Sequence, residues 1–192
     1  DAKGIDTNEL RRLAKLRSMV KNFDRKKISK EGFLVLIEDR SVKLFDGTVV
    51  ANGTDFRNNF HLTPYARADI FVPCGGRPQS IHILNWKQLL NAKGELAFKI
   101  IVEGANLFIS QEARLELEKR NCILIKDASS NKGGVTSSSL EVLASLALSN
   151  DEYDALLTTS AKKDNPFRKK YIEEVLECIR HNARREFDIL WR

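Results

Sequence analysis

Residues 99–148 read KIIVEGANLFISQEARLELEKRNCILIKDASSNKGGVTSSSLEVLASLAL, and this stretch decides the fold. The apolar run Ile100-Ile101-Val102 stops abruptly at Glu103-Gly104-Ala105-Asn106, the pattern of a strand buried on both faces that ends in a loop open to a ligand. A helix is expected next. Ser110 suits its N-cap, Glu112 the positive helix end, Ala113, Leu117 and Leu115 its inward face, and Asn121 a left-handed stop. A second buried strand is expected over 122–125. It runs into the polar loop Asp127-Ala128-Ser129-Ser130-Asn131-Lys132-Gly133-Gly134, whose paired glycines open a long helix over about 135–148. Strand, helix, strand, helix, with both polar loops at strand carboxyl ends, describes an open parallel sheet and the edge where such sheets bind ligands.

Working outward, residues 8–23 place Leu10, Leu13, Leu16 or Arg17, Val20 and Phe23 near helical spacing opposite a basic face, which predicts a surface helix. Residues 33–37 form a short apolar run expected to be a strand. Residues 42–50 carry Asp46-Gly47 between β-formers, a strong hairpin signal. No regular element is expected over 52–63. Residues 68–73 read as another buried strand, ended by Pro73 and by Cys74-Gly75-Gly76-Arg77-Pro78; a short helix over 81–90 and a turn over 92–96 follow. Beyond Leu148, residues 149–165 are a polar, partly helical connection. Asn165-Pro166 then starts a helix whose apolar residues from Tyr171 onward, Val175, Ile179, Ala183, Phe187 and Leu190, make it long and amphipathic. There is no internal repeat and no low-complexity segment.

At 192 residues the chain can build a real core. Asp1 in place of Met leads us to expect a segment of a longer protein. With no basic-then-apolar leader and no apolar run of spanning length, the segment is expected to be soluble, with no membrane partner. Three cysteines lie far apart without a CxxC, which suits a reducing compartment and argues against a disulfide framework or zinc. The net charge of +6 raises nucleic acid as a partner, but residues 162–192 interleave nine basic with six acidic residues at helical spacing, including Lys169/Glu173 and Lys170/Glu174. That is a solvated helix face; with no basic stripe among exposed aromatics, no nucleic-acid role is expected.

The chemistry concentrates in three loops that follow candidate strands: Pro73-Cys74-Gly75-Gly76, Glu103-Gly104-Ala105-Asn106 and Asn131-Lys132-Gly133-Gly134. Together they outline one crevice. Their glycines let backbone approach a ligand, Asn106 and Asn131 offer donor and acceptor to a carboxamide, and Gly133-Gly134 leads into a helix N-terminus that attracts a carboxylate. For any single loop, glycines that serve turns and asparagines that cap are the plainer reading; three loops together favour a site. Lys132-Gly133-Gly134 is not a phosphate loop, since the lysine precedes the glycines. His61, His82 and His181 are scattered with no metal-ligand spacing, and no GxSxG or complete GxGxxG occurs. Cys74, the one strand-end thiol, is expected to pack rather than attack.

The segments Asp69-Ile70-Phe71-Val72-Pro73-Cys74-Gly75-Gly76-Arg77-Pro78, Ile101-Val102-Glu103-Gly104-Ala105-Asn106 and KDASSNKGGVTSSSLE from Lys126 to Glu141 resemble the NAD-specific glutamate dehydrogenases. The wording CGGRP, EGANLFISQEAR and KDASSNKGGVTSSSLEVLASLAL resembles in particular the large-subunit class of fungi and other lower eukaryotes. Small members usually carry Asn-Ala-Gly-Gly-Val where this chain has Asn131-Lys132-Gly133-Gly134-Val135. The likeness spans nearly the whole chain and is most specific over 68–148.

The resemblance implies an α/β fold: a partial Rossmann-like parallel sheet with flanking helices, a β-hairpin insertion and a long C-terminal helix. Residues 1–150 would be the later part of the NAD-binding domain, and 151–192 a helical segment packing near the hinge. It implies oxidative deamination of L-glutamate to 2-oxoglutarate and ammonium, with NAD as cofactor, in a homo-oligomer of the cytoplasm or mitochondrion. By the family pattern Cys74 and Gly75 border the cofactor crevice, Asn106 lies near the nicotinamide, Asn131 sits by nicotinamide and substrate, and Val135 and Ser138 face the substrate. The family's catalytic lysine and aspartate and its diphosphate turn have no counterpart in these residues, so no catalytic residue is assigned and the isolated chain is expected to be inactive. The rivals are a leucine, valine or phenylalanine dehydrogenase, told apart at Ser138, and a non-catalytic domain retaining the fold.

Overall fold

In the computed structural model, which describes residues 4–75, 77–158 and 165–191, the helix expected over 8–23 stops early, and α1 spans Thr7–Lys15. The stop is a Schellman turn. Arg17 takes φ +51°, its N–H bonds to Ala14 O at 3.0 Å, and the Ser18 N–H bonds to Leu13 O at 2.9 Å. An arginine at the left-handed position gives no warning of this, because glycine or asparagine is the usual signal. A single 3₁₀ turn, Val20–Asn22, holds what remained of the apolar pattern.

The chain divides into two compact units, Asp1–Arg67 and Ala68–Arg192. The first contains α1, then the expected hairpin: β1 (Arg40–Lys43) and β2 (Val49–Asn52) pair antiparallel with Val42 opposite Val50, and Gly47 takes φ +90° in the turn. Helix α2 (Gly53–Asn59) follows at once, where no regular element was expected; the Asn52 side chain caps it by accepting from the Thr54 and Asp55 N–H groups. The run 33–37 is not a strand. The Leu36 N–H donates to the Asp39 carboxylate, and the Ile37 carbonyl accepts from Thr54 Oγ1 and Arg40. Gly53 presses so closely on the Leu36 carbonyl that a Cβ would lie 1.8 Å from its oxygen. Phe33 instead anchors an aromatic cluster with Phe45, Phe56 and Tyr65.

In the second unit β3 (Ile70–Phe71), β4 (Ile100–Val102) and the strand after the next helix form a parallel sheet. That helix, α3 (Gln111–Glu118), is capped by Ser110 through the Ala113 N–H and ends where Asn121 takes φ +63°. Strand β5 (Ile123–Ile125) pairs with β4. A helical turn, α4 (Asp127–Ser130), and α5 (Gly133–Ala147) come next, then α6 (Asn150–Leu156) behind a Ser149/Glu152 capping box, and α7 (Pro166–Leu190) capped by Asn165. The order β3-β4-β5, with α3 crossing between parallel neighbours, is the α/β arrangement expected from the sequence.

Burial corrects two details. Only the centre of β4 is fully enclosed, Ile101 being buried while Ile70, Val72 and Ile123 are exposed, so β3 and β5 are edge strands here. On α3, Ala113 and Leu117 face inward as expected, but Leu115 is exposed and Arg114 takes its place in the core. The helix expected over 81–90 shrinks to a 3₁₀ turn, Trp86–Leu89. Asn85 explains it: its amide accepts from the His82 N–H at 2.8 Å and donates to Ser80 O at 2.9 Å, a local alternative to helical bonding. Ile81 joins Ile109 in a parallel bridge instead. Around Ile101 the core gathers Ile81, Leu89, Phe98, Phe108 and Leu117, with Phe71 stacked on Phe98 at 4.6 Å between centroids.

Glu9 organises the first unit much as a buried cap would. Its carboxylate is enclosed and accepts from Arg12 Nη2 at 2.6 Å, Lys27 Nζ at 3.0 Å and the Asp24 N–H at 3.1 Å. The Arg12 guanidinium, followed by Lys27 and the Asp24 amide, outweighs burial and holds the carboxyl at about 2 against an ordinary 4.5. Because the folded value lies below the unfolded one, this anchor is fully present above about 4.5 and is lost as pH falls toward about 2. Amide exchange along α1, followed by mass spectrometry, should therefore quicken across that window. Glu9→Gln should quicken it at neutral pH and flatten the acid dependence.

Candidate functional site

The three loops at the carboxyl edge of the sheet are bonded to one another. The first two meet backbone to backbone: the Ala105 N–H donates to Pro73 O at 2.8 Å. Gly104 permits this approach, since a Cβ there would lie 3.0 Å from both Cys74 Sγ and Pro73 O, tighter than a side chain normally tolerates. Cys74 and Gly75 are exposed on the rim. Gly76, read from sequence as part of this loop, lies outside the described residues.

Glu103 ties the second loop to the third. Its side chain is fully buried at the end of β4; Oε1 accepts from the Ile109 N–H at 3.0 Å, and Oε2 from Arg114 Nη2 at 2.8 Å and the Asp127 N–H at 3.4 Å. Its carbonyl accepts from Ser130 Oγ at 2.7 Å. Asp127 reaches back, Oδ2 accepting from the Leu107 N–H at 2.8 Å, and holds Leu107 at φ +54°. That amide, with the Ala128 N–H, keeps the Asp127 carboxyl below the usual carboxylate range despite partial burial. Loops held by several such bonds do not need ligand to define their shape.

Above this frame Asn131 Nδ2 donates to Asn106 Oδ1, joining two residues 25 positions apart at the mouth of the crevice. Next in the chain, α5 opens on Gly133 and Gly134 with no side-chain cap, and nothing lies within 4 Å of the Gly134 Cβ direction. Uncapped by any side chain among the described residues, its first amides favour an anion. Val135 and Ser138 lie further along α5, one turn apart, both exposed, and outside the hydrogen bonds that join the loops. The Ser138 hydroxyl donates to Val135 O at 3.1 Å, the bond of a helix serine to its own backbone; Ser137 does the same to Gly134 O.

The structure thus brings Cys74, Gly104, Asn106 and Asn131 to one edge. It adds residues that the sequence reading passed over: Glu103, Arg114 and Asp127. The available signals were a charge closing an apolar strand and an arginine beside the inward positions of α3. Cys122 takes no part; it is buried beside Phe98 O, and burial pushes its thiol up to about 11. Among the described residues no group of three or more His, Cys, Asp or Glu is placed to hold a metal ion, and no helix is long and apolar enough to cross a membrane.

Comparison with known proteins is consistent in direction. The family model for Glutamate/Leucine/Phenylalanine/Valine dehydrogenase matches residues 1–191. Over its whole length the chain is 50% identical to Glutamate dehydrogenase 2 of Dictyostelium discoideum, 51% to the NAD-specific glutamate dehydrogenase of Neurospora crassa and 49% to that of Saccharomyces cerevisiae. It spans only 18% of the length of each of these relatives.

The Glu103–Arg114 pair generates a stability test. Both side chains are enclosed, so Glu103→Gln leaves the guanidinium without its countercharge and should destabilise the intact protein by about 3–5 kcal/mol, read as a lowered denaturant midpoint. Pairing it with Arg114→Met should recover part of that loss. A cost of about 1 kcal/mol or less, typical of a surface pair, would show that the loops hold without it.

Proposed function

The chain belongs to the glutamate/leucine/phenylalanine/valine dehydrogenase family, and from that premise we propose that the intact protein oxidatively deaminates L-glutamate to 2-oxoglutarate and ammonium with NAD. In this reading residues 1–150 supply the later part of the cofactor-binding domain, and residues 151–192 a helical segment near the hinge. The observation that carries it is the meeting of Asn106 and Asn131 at the carboxyl edge of a parallel sheet. Two carboxamides there match the amide of a nicotinamide, and Gly104, lacking a Cβ, lets the first loop close against the second beside them. When bound, NAD supplies the hydride acceptor. This chain's contribution is orientation: Cys74 and Gly75 border the ring, Asn106 fixes Asn131, and Asn131 aligns nicotinamide with substrate.

On the substrate side, Val135 and Ser138 face the amino acid from α5, Ser138 turning its hydroxyl from the Val135 carbonyl to the side-chain carboxylate of glutamate, beside the positive helix end. A second reading, dehydrogenation of leucine, valine or phenylalanine, draws on the same bond: with its proton given to its own helix, Ser138 leaves an exposed Val135 as the dominant feature of that face. The exposed Val142, Leu143 and Leu146 of α5 fit burial against the rest of a longer protein. The same reading carries the proposals of a homo-oligomer working in the cytoplasm or mitochondrion.

Two substitutions in the intact enzyme test the reading. Asn131→Ala should lower kcat by about tenfold or more, the scale of lost orientation in a dry site, while weakening coenzyme binding less. An unchanged kcat with a raised coenzyme KM would reduce Asn131 to a loop cap. Ser138→Val should remove a charge-assisted bond of roughly 1.5–3 kcal/mol, about ten- to hundredfold in kcat/KM for glutamate, and improve the relative use of aliphatic amino acids. Equal losses for glutamate and norvaline would favour the second reading.

A further inference from the structure

The loop that carries Asn131 is held from two sides, and only one of them belongs to the sheet. On the sheet side, Ser130 and Asp127 bond to Glu103. On the other side Lys132, the residue directly after Asn131, points away from the crevice and places Nζ 2.9 Å from Glu186 Oε1 on α7, across 54 residues of chain. Lys132, followed by a smaller contribution from Ser129, outweighs burial to hold the Glu186 carboxyl below the usual carboxylate range. A groove of about 460 Å³ lies between the loop and α7, lined by Ser129, Lys132, Gly133, Ile179 and Glu186 among others. Nearest the helix opening the two elements do approach: a Cβ on Gly133 would lie at ordinary van der Waals distance, 3.5 Å, from Ile179. Packing across a groove cannot fix the height of the loop above α7, whereas an ion pair of defined length can.

We propose that Lys132 and Glu186 are positioning residues for the crevice: their ion pair braces the Asn131 loop and the opening of α5 against the C-terminal helix, and so sets where Asn131 stands. The brace is half exposed, with 54% of the Lys132 side chain and 32% of the Glu186 side chain accessible, so it contributes little to global stability and is weakened by salt. Its effect is on alignment, where a shift of about 1 Å is felt strongly in rate. Lys132 itself touches no reacting atom. The proposal deepens the dehydrogenase reading above and rests on it for its catalytic consequence, though not for the brace.

The test is made on the intact protein with Lys132→Ala, Glu186→Gln and the exchanged pair Lys132→Glu with Glu186→Lys. Hydrogen exchange read by mass spectrometry reports the brace without any assumption about chemistry. Each single variant should quicken exchange over residues 127–136 by about three- to tenfold with the unfolding midpoint nearly unchanged, and the exchanged pair should restore protection. Glutamate-dependent NAD reduction then reports the consequence: each single variant should lower kcat by about three- to tenfold with little change in coenzyme KM, the two losses should not add in the double variant, and added salt should slow the wild type toward the variants. Unaltered exchange in both single variants would overturn the brace. Faster exchange with unaltered kcat would overturn its positioning role, as would losses that add. A wild-type protein that does not oxidise glutamate would sink the dehydrogenase reading and leave the exchange result to decide the brace.

Discussion

A single buried carboxylate, that of Glu103, fixes the carboxyl edge of the sheet. It accepts from three donors: the Ile109 amide ahead of α3, the Arg114 side chain within α3, and the Asp127 amide at the start of the third loop. Burying an ion pair costs more in lost hydration than its attraction returns unless the remaining donors and acceptors are satisfied. Glu103 meets that condition; Arg114 does not, since its buried Nε and Nη1 have no hydrogen-bond partner among the described residues. The pair therefore serves arrangement more than net stability, which is also why removing one member is so much worse than replacing both. Gly104 and Asn106 take their places from it, one residue and three residues along the same loop.

The framework was legible because its signals are local and of known period. Apolar runs closed by polar loops gave β4 and β5, Ser110 and Asn121 gave the two ends of α3, Asn165-Pro166 gave the start of α7, and Asp46-Gly47 gave the hairpin. The misreadings share a cause: a single side chain or contact outbid the pattern. Arg17 adopts a conformation that glycine usually signals and ends α1. Asn85 satisfies backbone groups that a helix would have used. The Leu36 carbonyl accepts from the Asp39 N–H and the Ile37 carbonyl from Thr54 of α2, rather than from a strand partner. None of these has a composition signal that a window of sequence can average.

The crevice was legible as three loops at strand ends but not as a connected object. Nothing in the spacing of Asn106 and Asn131 says that their amides touch, because that depends on the β4–β5 register, and register in a run of three apolar residues is not written in its hydrophobicity. Arg114 was hidden for another reason. Its neighbours Ala113 and Leu117 define an inward stripe, and an arginine beside it reads as a solvated flank until its partner at the end of β4 is known. Lys132 read as part of a glycine-rich loop facing a ligand, whereas it faces α7; the direction of a long side chain follows from what lies on the far side of the loop, which sequence does not disclose.

The sheet order also has a consequence for how the crevice comes into being during folding. Each strand pairs with the next one in the chain, Ile70 opposite Ile100 and Ile100 opposite Ile123, with no later segment inserted between them. Contacts of this kind close modest loops, so the entropy lost before the pairing is rewarded stays small and the parallel sheet escapes much of the slowness usual for its class. The Asn106–Asn131 contact closes just beyond the last of these, so the second and third loops meet once the β4–α3–β5 crossover and the α4 turn have condensed. Only the tie to α7 waits for more distant chain. As the polypeptide emerges from the ribosome, the carboxyl edge of the sheet can therefore take its shape before the C-terminal helix has been synthesised.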